Sequence, residues 1–212
     1  MKILNSLIIL TMSLSSFGQV QIGSDIDGEA AGDYSGGVSL SDDGTIMAIG
    51  APRNDGNGTW SGHVRVYEYA SGAWSQLGAD IDGDTAYDFS GSSVSLSDDG
   101  TILAIGAAGN NGNGNNSGHV RVYEYASGAW SQLGADIDGE AAGDQASKVS
   151  LSGDGTIVAI GSGGNTNANG EGAGHVRVYG YSSGSWLQLG ADIDGEYAED
   201  QSGWAVSLSD DG

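Results

Sequence analysis

The chain has 212 residues, with 28 Asp and Glu against six Lys and Arg, and a formal net charge of −22. This charge repels nucleic acids and anionic lipid headgroups, so both are excluded as partners, and cations are the natural counterpart. The chain contains no Cys, which excludes disulfides and thiolate metal sites.

The first residues have the pattern of a signal peptide. Lys2 provides a positive n-region, residues 3–14 are largely apolar, and Ser16-Phe17-Gly18 provides small residues for cleavage. We therefore predict a signal peptide over 1–18, cleaved after Gly18, and export of the chain with no membrane insertion after cleavage. The alternative is a buried strand or an uncleaved anchor. A lipoprotein is excluded because no lipobox cysteine is present.

The remaining sequence is an internal repeat. The motif Asp-Ile-Asp-Gly begins at Asp25, Asp80, Asp136 and Asp192, so successive copies are offset by 55, 56 and 56 residues. A repeat of this length predicts stacked units, each too small to bury its own apolar face.

The sequence of each unit predicts four short strands. In the first unit these are Val38–Leu40, Thr45–Gly50, His63–Tyr69 and about Ala73–Leu77. The Asp-Gly pair at 43–44 suits a tight hairpin, and glycines recur between the apolar runs at fixed places. An acidic stretch then leads to the next unit. The expected fold class is all-β, with β-propeller blades of four antiparallel strands; a stacked β-solenoid is the alternative.

The number of units predicts an incomplete ring. Residues 19–212 hold about 3.5 repeats, whereas closed propellers have at least four blades. We place the units at about 29–83, 84–139, 140–195 and, in part, 196–212. The segment Val20–Gly28 is expected to be a lone fourth strand. This pattern predicts the N-terminal part of a longer protein, with the missing blades supplied in cis or by a second copy.

Several motifs resemble the FG-GAP repeat family. They are Phe89-Ser90-Gly91, Val94-Ser95-Leu96, Ala104-Ile105-Gly106-Ala107 and Gly118-His119-Val120-Arg121-Val122-Tyr123, together with Gly50-Ala51-Pro52 and Tyr34-Ser35-Gly36 in the first unit. The family forms the propeller heads of integrin α subunits and of many bacterial surface proteins, and the variant here is similar to that of secreted Bacteroidetes-type proteins. The resemblance implies a calcium loop between the first two strands. Here that place holds only Asp42-Asp43-Gly44 and its equivalents, too few oxygens for a cation needing six to eight ligands.

The better metal candidates are the acids that link one unit to the next. Alternate carboxylates followed by Gly can turn a loop so that several oxygens converge on Ca²⁺. The alternative is that they are solvated turn residues that bind backbone amides. The candidate ligands are Asp25, Asp27, Glu29, Asp33, Asp80, Asp82, Asp84, Asp88, Asp136, Asp138, Glu140, Asp144, Asp192, Asp194, Glu196 and Asp200.

A local ligand site is expected where the units differ. The loop between the second and third strands of the first unit contains Arg53, Asn54, Asp55 and Trp60, and polar loops on a rigid scaffold often carry recognition. Trp60 could stack on a sugar ring or anchor a protein; the alternative is an ordinary exposed Trp. The His and Arg at the start of every third strand, and the Trp of every fourth, are expected to be scaffold.

These observations together predict a secreted or cell-surface binding or adhesion module, with a protein or glycan ligand and with Ca²⁺ as the cofactor candidate. We expect no catalytic residues and no enzyme activity, because the positions that break the repeat form no recognisable triad or acid pair. Two alternatives are a structural surface component and the propeller of a glycan- or phosphoester-cleaving enzyme whose site lies elsewhere.

Overall fold

The structure is a computed structural model that describes residues 20–212. The predicted signal peptide, 1–18, lies outside the described residues. No helix long and apolar enough to cross a membrane occurs in the described part of the chain.

Three antiparallel sheets follow one another along the chain. The first contains β1 (Gly37–Leu40), β2 (Ile46–Ala51), β3 (His63–Ala70), β4 (Ala73–Gln76) and β5 (Ile81–Asp82). The second contains β6 (Ser90–Leu96), β7 (Ile102–Ala107), β8 (His119–Ala126), β9 (Ala129–Gln132) and β10 (Ile137–Asp138). The third contains β11 (Lys148–Leu151), β12 (Ile157–Ser162), β13 (His175–Ser182), β14 (Ser185–Gln188) and β15 (Ile193–Asp194).

Each sheet is a four-stranded meander, as the sequence predicts. In the first sheet the strand order is β1-β2-β3-β4, and β5 pairs with the start of β3. The outermost strand therefore has two pieces, and the acidic stretch contains a strand that the sequence analysis missed. The turn between β1 and β2 is closed by Asp43, whose Oδ1 accepts bonds from the amide and hydroxyl of Thr45 and from the hydroxyl of Ser41. Asp43 is exposed, and its Oδ1 shapes the hairpin.

The segment Val20–Gly28 differs from the prediction, because no strand is assigned there. It keeps the local contacts of the equivalent 75–83: the Gln21 amide donates to Asp25, as Gln76 does to Asp80. A strand requires a hydrogen-bonded neighbour, and no third strand stands beside this segment among the described residues.

The hydrophobic core lies between the sheets. One face of the first sheet, including Val64 and Val66, packs on Leu103 and Ile105 of the second. The opposite face of the second sheet, including Val120, packs in the same way on the third. Each sheet by itself buries too little apolar area, so neighbouring sheets stabilise one another.

Neighbouring units approach closely at their first and second strands. Ser39 Oγ accepts a bond from the Leu96 amide, and Ser95 Oγ accepts one from the Leu151 amide. A Cβ added at Gly106 would overlap the backbone of Ser147 in the next unit. Glycine is required there because two backbones approach with no room for a side chain.

This arrangement is that of successive propeller blades, and the ring is not closed. Leu96 and Leu151 are buried between sheets, whereas their equivalent in the first sheet, Leu40, is 52% exposed. On the far side of the third sheet Ile193 is 59% exposed, although the equivalent Ile81 is buried. The fold class predicted from the repeat is confirmed.

Candidate functional site

The linkers between sheets form a cluster that recurs in every unit. The His that opens each third strand lies between an acid of the linker before it and an acid of the linker after it. We call these the first histidine cluster (Glu29, His63, Asp80), the second (Asp84, His119, Asp136) and the third (Glu140, His175, Asp192). Each cluster also contains the Arg two residues after the His: Arg65, Arg121 or Arg177.

The first and third clusters share one geometry. Nδ1 of His63 lies 3.8 Å from Glu29 Oε2 and 3.8 Å from Asp80 Oδ2. Arg65 lies on the other side of Glu29, 3.7 Å from Oε1, and donates to the carbonyl of Asp27. In the third cluster His175 Nδ1 is 3.6 Å from Asp192 Oδ2.

The second cluster has a different arrangement because Asp84 replaces a Glu. Both Nη atoms of Arg121 donate to the Asp84 carboxylate, and Arg121 also holds both oxygens of Asp136 at 3.0 and 2.9 Å. The hydrogen bonds from Arg121 hold the pKa of Asp84 below its usual value. This cluster is a closed ion-pair network.

Burial affects the charge of His119 and His175. Desolvation lowers the pKa of His119 and of His175, with the neighbouring Arg acting in the same direction. The nearby carboxylates only partly oppose this effect, so the neutral imidazole is favoured. All three histidines, which the sequence analysis expects to be scaffold, are buried.

The last acid of each linker is separated from the clusters. Asp33 is buried and accepts bonds from the Ala30 amide and from Asn54 Nδ2. Asp88 and Asp144 bind the amides of their own loops in the same way. These acids therefore cap turns, and the structure does not bring all four acids of a linker to one point.

The remaining predicted ligands lie along the same linkers. Gln donors hold the first acid of each linker, and Asp194 accepts from Asn167. Glu196 and Asp200 belong to the last linker, which no described third strand follows. The cavities beside the linkers, of about 340 Å³ near Asp80 and about 480 Å³ near Asp136, recur at equivalent positions. Their recurrence indicates that they follow from the stacking of units.

A second candidate site lies at the edge of the sheets where the second strands end, and its residues differ from those at the equivalent positions of the other units. The guanidinium carbon of Arg53 lies 4.1 Å from the ring centroid of Tyr34 and 5.0 Å from that of Trp60. Trp60 in turn contacts Tyr87 edge-on, with centroids 5.7 Å apart, and Phe89 at 5.9 Å. We call these five residues the aromatic site. The equivalents of Arg53 in the other units are Gly109 and Gly164, and those of Trp60 are Asn116 and Gly172.

Four residues of this loop were predicted as ligand-binding, and the structure places two of them in the aromatic site, whereas the other two form hydrogen bonds that shape the loop. Arg53 and Trp60 reach the aromatic site. Asn54 is buried and bonds to Asp33, and Asp55 accepts a bond from the Trp60 amide, so both shape the loop. The sequence analysis missed the aromatic partners, which come from the two adjacent linkers.

The backbone of the aromatic site has an unfavourable conformation. Tyr34, Trp60, Tyr87 and Phe89 have φ angles of 57°, 53°, 69° and 55°. Large side chains at positive φ cost of the order of 1 kcal/mol or more, and such residues concentrate at functional sites. The recurrence of positive φ at Gln145 and Gln201 shows that the turn belongs to the repeat, whereas the aromatic side chains on it do not.

The aromatic site continues into a shallow groove. A depression of about 270 Å³ is lined by Phe89, Ala108, Asn116 and Gln145. A second depression shares Ala108 and Gln145 and ends at Lys148 and Trp204, where Lys148 Nζ lies 5.8 Å from the indole centroid. Arg53 and Lys148 are the cations of residues 20–212 outside the histidine clusters, and both lie along this edge on aromatic rings.

Comparisons with known proteins support the fold. No protein-family model and no curated protein matches the sequence. A candidate 6-phosphogluconolactonase from Bacteroides fragilis is similar in structure, with a TM-score of 0.53 and 13% identity, over 79% of this chain and 40% of that one. A hypothetical selenium-binding protein from Sulfolobus tokodaii has a TM-score of 0.51 and 12% identity, over 80% of this chain and 45% of that one. The chain thus spans less than half the length of these proteins.

These comparisons show a propeller-like fold and do not show the FG-GAP family in particular. They also correct one prediction. We expected no enzyme, but this fold is shared with a protein that carries the name of a lactonase, so that expectation does not follow from the fold. The missing triad does not exclude an enzyme, because the same scaffold serves catalysts and binding modules alike.

Proposed function

We propose that this chain is the carbohydrate-binding part of a β-propeller that acts on a sugar or a sugar derivative. The proposal rests on the aromatic site, where four aromatic rings and one guanidinium group from two neighbouring units lie together at positions that differ from those of the other units. Sugar rings present an apolar face that stacks on aromatic side chains, while their hydroxyl groups accept bonds from Arg and amide donors.

The charge of the chain favours a neutral sugar. A net charge of −22 repels polyanions, and Arg53 is held between two rings, where it can donate to hydroxyl oxygens. Asn116 and Gln145 line the continuing groove with further amide donors and acceptors. The two adjoining depressions, which share Ala108 and Gln145, offer room for a short oligosaccharide.

The enzyme component of this proposal is supported by the similarity to the candidate 6-phosphogluconolactonase, whose name denotes a sugar-derived substrate. It replaces the adhesion role expected from the sequence. The whole protein's reaction would depend on groups that the other blades of a ring contribute.

Affinity electrophoresis in native gels tests the binding. We expect one of the neutral polysaccharides dextran, galactomannan or xylan to retard the chain, and alginate, a polyanion, to have no effect. Trp60→Ala should weaken the retardation at least tenfold, about 1.4 kcal/mol, because a central stacking residue is lost. Arg53→Gln should weaken it less.

Tyr197→Ala is the matched control, because Tyr197 is 70% exposed and lies outside the aromatic site. It should leave retardation unchanged. Equal effects of the Trp60 and Tyr197 substitutions, or no retardation by any neutral polysaccharide, would contradict the proposal. A pH-stat assay of gluconolactone hydrolysis, with and without Trp60→Ala, tests the enzyme component separately.

Three further points remain proposals from the sequence: export of the chain, membership of the FG-GAP family, and completion of the ring by further blades or a second copy. Calcium at the linker acids is a fourth. Thermal unfolding with millimolar Ca²⁺ and with chelator tests it, because a ligand that binds only the folded state raises the Tm. An unchanged Tm would contradict calcium binding.

A further inference from the structure

Two of the three cluster histidines lack hydrogen-bond partners. His63 and His175 are each 1% exposed, and no partner among residues 20–212 lies within bonding distance of Nε2 of either ring. Buried polar side chains are nearly always hydrogen-bonded, so each exception requires an explanation. A cation on the other nitrogen, Nδ1, would leave Nε2 as it is; the observation that bears on a ligand is that Nδ1 itself faces carboxylates without a hydrogen bond to them.

The distances around Nδ1 are too long for hydrogen bonds and suit a shared ion. His63 Nδ1 lies 3.8 Å from one oxygen of Glu29 and 3.8 Å from one oxygen of Asp80. Typical hydrogen bonds are about 2.7–3.2 Å, whereas ligands of one cation, each about 2.0–2.2 Å from it, lie roughly 3–4 Å apart. In both clusters the three ligand atoms all lie within 4.8 Å of one another.

We propose that the first and third histidine clusters each bind a divalent transition-metal cation of the zinc class. The ligands would be His63 Nδ1, Glu29 and Asp80 in the first, and their equivalents His175, Glu140 and Asp192 in the third. An imidazole with two carboxylates suits Zn²⁺, whereas Ca²⁺ takes six to eight oxygen ligands.

The surrounding side chains orient these ligands. Gln188 Nε2 donates to Asp192 Oδ1 at 2.7 Å, which leaves Oδ2 facing His175, and Gln76 holds Asp80 in the same way. Such bonds to the second oxygen of a ligating carboxylate are typical of metal sites. Arg65 lies 3.7 Å from Oε1 of Glu29, on the side away from Oε2. Apart from the His, two carboxylates and one Arg give each of these clusters a formal charge of −1 before an ion enters.

The second cluster provides an internal comparison. Asp84 is one methylene shorter than Glu29 and Glu140, and its carboxylate is bound by Arg121. Arg121 also binds both oxygens of Asp136. Asp138 also lies near His119 and Asp136 and is not bound by Arg121, but Asp136, which an ion there would need, is held by Arg121 through both oxygens. The proposal therefore assigns two ions to the chain, not three.

Equilibrium dialysis of the untagged chain against micromolar Zn²⁺, followed by elemental analysis, tests this. We expect two ions per chain, one after Glu29→Gln, and none after Glu29→Gln with Glu140→Gln. Glu196→Gln is the matched control, because Glu196 holds the same place in the last linker with no described His beside it. That variant should still bind two ions.

Co²⁺ provides a second measurement. Visible absorption bands of the bound ion should appear in the wild-type chain and in Glu196→Gln and be absent from the double variant, and circular dichroism should show that all three chains keep their β structure. Retention of two zinc ions by the double variant would overturn the proposal. So would the absence of zinc binding by the wild type, or displacement of the zinc by an equal concentration of Ca²⁺.

Discussion

The close approach of neighbouring blades makes a sharp prediction at Gly106. A Cβ added there would lie 2.7 Å from the carbonyl carbon and 2.9 Å from the Cα of Ser147 in the next unit. Both atoms belong to the backbone, so no side-chain rotation can relieve the overlap. The φ angle of Gly106 is not positive, and the effect of Gly106→Ala is therefore purely steric.

Its magnitude follows from the geometry. Overpacking costs about 1–3 kcal/mol, and an overlap between two backbones falls at the upper end, about 3 kcal/mol. In a domain of this size about 1 kcal/mol shifts the Tm by about 2–4 °C, so Gly106→Ala should lower the Tm by about 6–12 °C. Differential scanning calorimetry measures this shift.

Gly36→Ala is the matched control, because a Cβ there meets nothing within 4 Å and its φ is not positive. It should leave the Tm unchanged or raise it slightly, since Ala restricts the unfolded chain more than Gly. If the two variants melt within about 2 °C of each other, the blades are not packed as closely as described and the reasoning fails.

Three other predictions concern burial and pH. Trp130→Phe should cost about 1 kcal/mol in urea unfolding, because the indole Nε1 donates to a carbonyl of the preceding unit at 2.9 Å; unchanged stability would show that this bond contributes nothing. Leu103→Ala should cost about 2–5 kcal/mol and Leu40→Ala under about 1, since the first side chain is fully buried and the second half-exposed; equal losses would contradict the described core. The pKa values of His119 and His175 are lowered in the folded chain, so the stability that they contribute is present above the unfolded value of about 6.5 and is lost as the pH falls below it. The Tm should therefore decline from pH 7 to pH 5, and less steeply after both are changed to Gln; parallel profiles would refute the assignment.

The repeat alone determined most of the fold. Because each unit spaces its apolar runs, its Asp-Gly turn and the Trp of its fourth strand almost identically, the strand number, hairpins and stacked architecture could be predicted from one unit. The two-residue strand at Ile81–Asp82 could not, since two residues carry no periodic signal. The strand expected at Val20–Gly28 was wrong because pairing depends on a neighbour that a local pattern does not contain.

The candidate sites required the tertiary structure. Trp60 was selected from the sequence as an exposed aromatic, but Phe89, from the next linker, meets it only when two units stack, and Tyr34 joins the site through Arg53. The equal spacing of acids in the linkers suggested equivalent sites. The structure shows that the one-methylene difference between Asp and Glu gives these sites different contacts. The shorter Asp84 pairs with Arg121, while Glu29 and Glu140 reach towards a buried His. Sequence determines what recurs, because recurrence is local; the contacts between units depend on distances that only the packed chain sets.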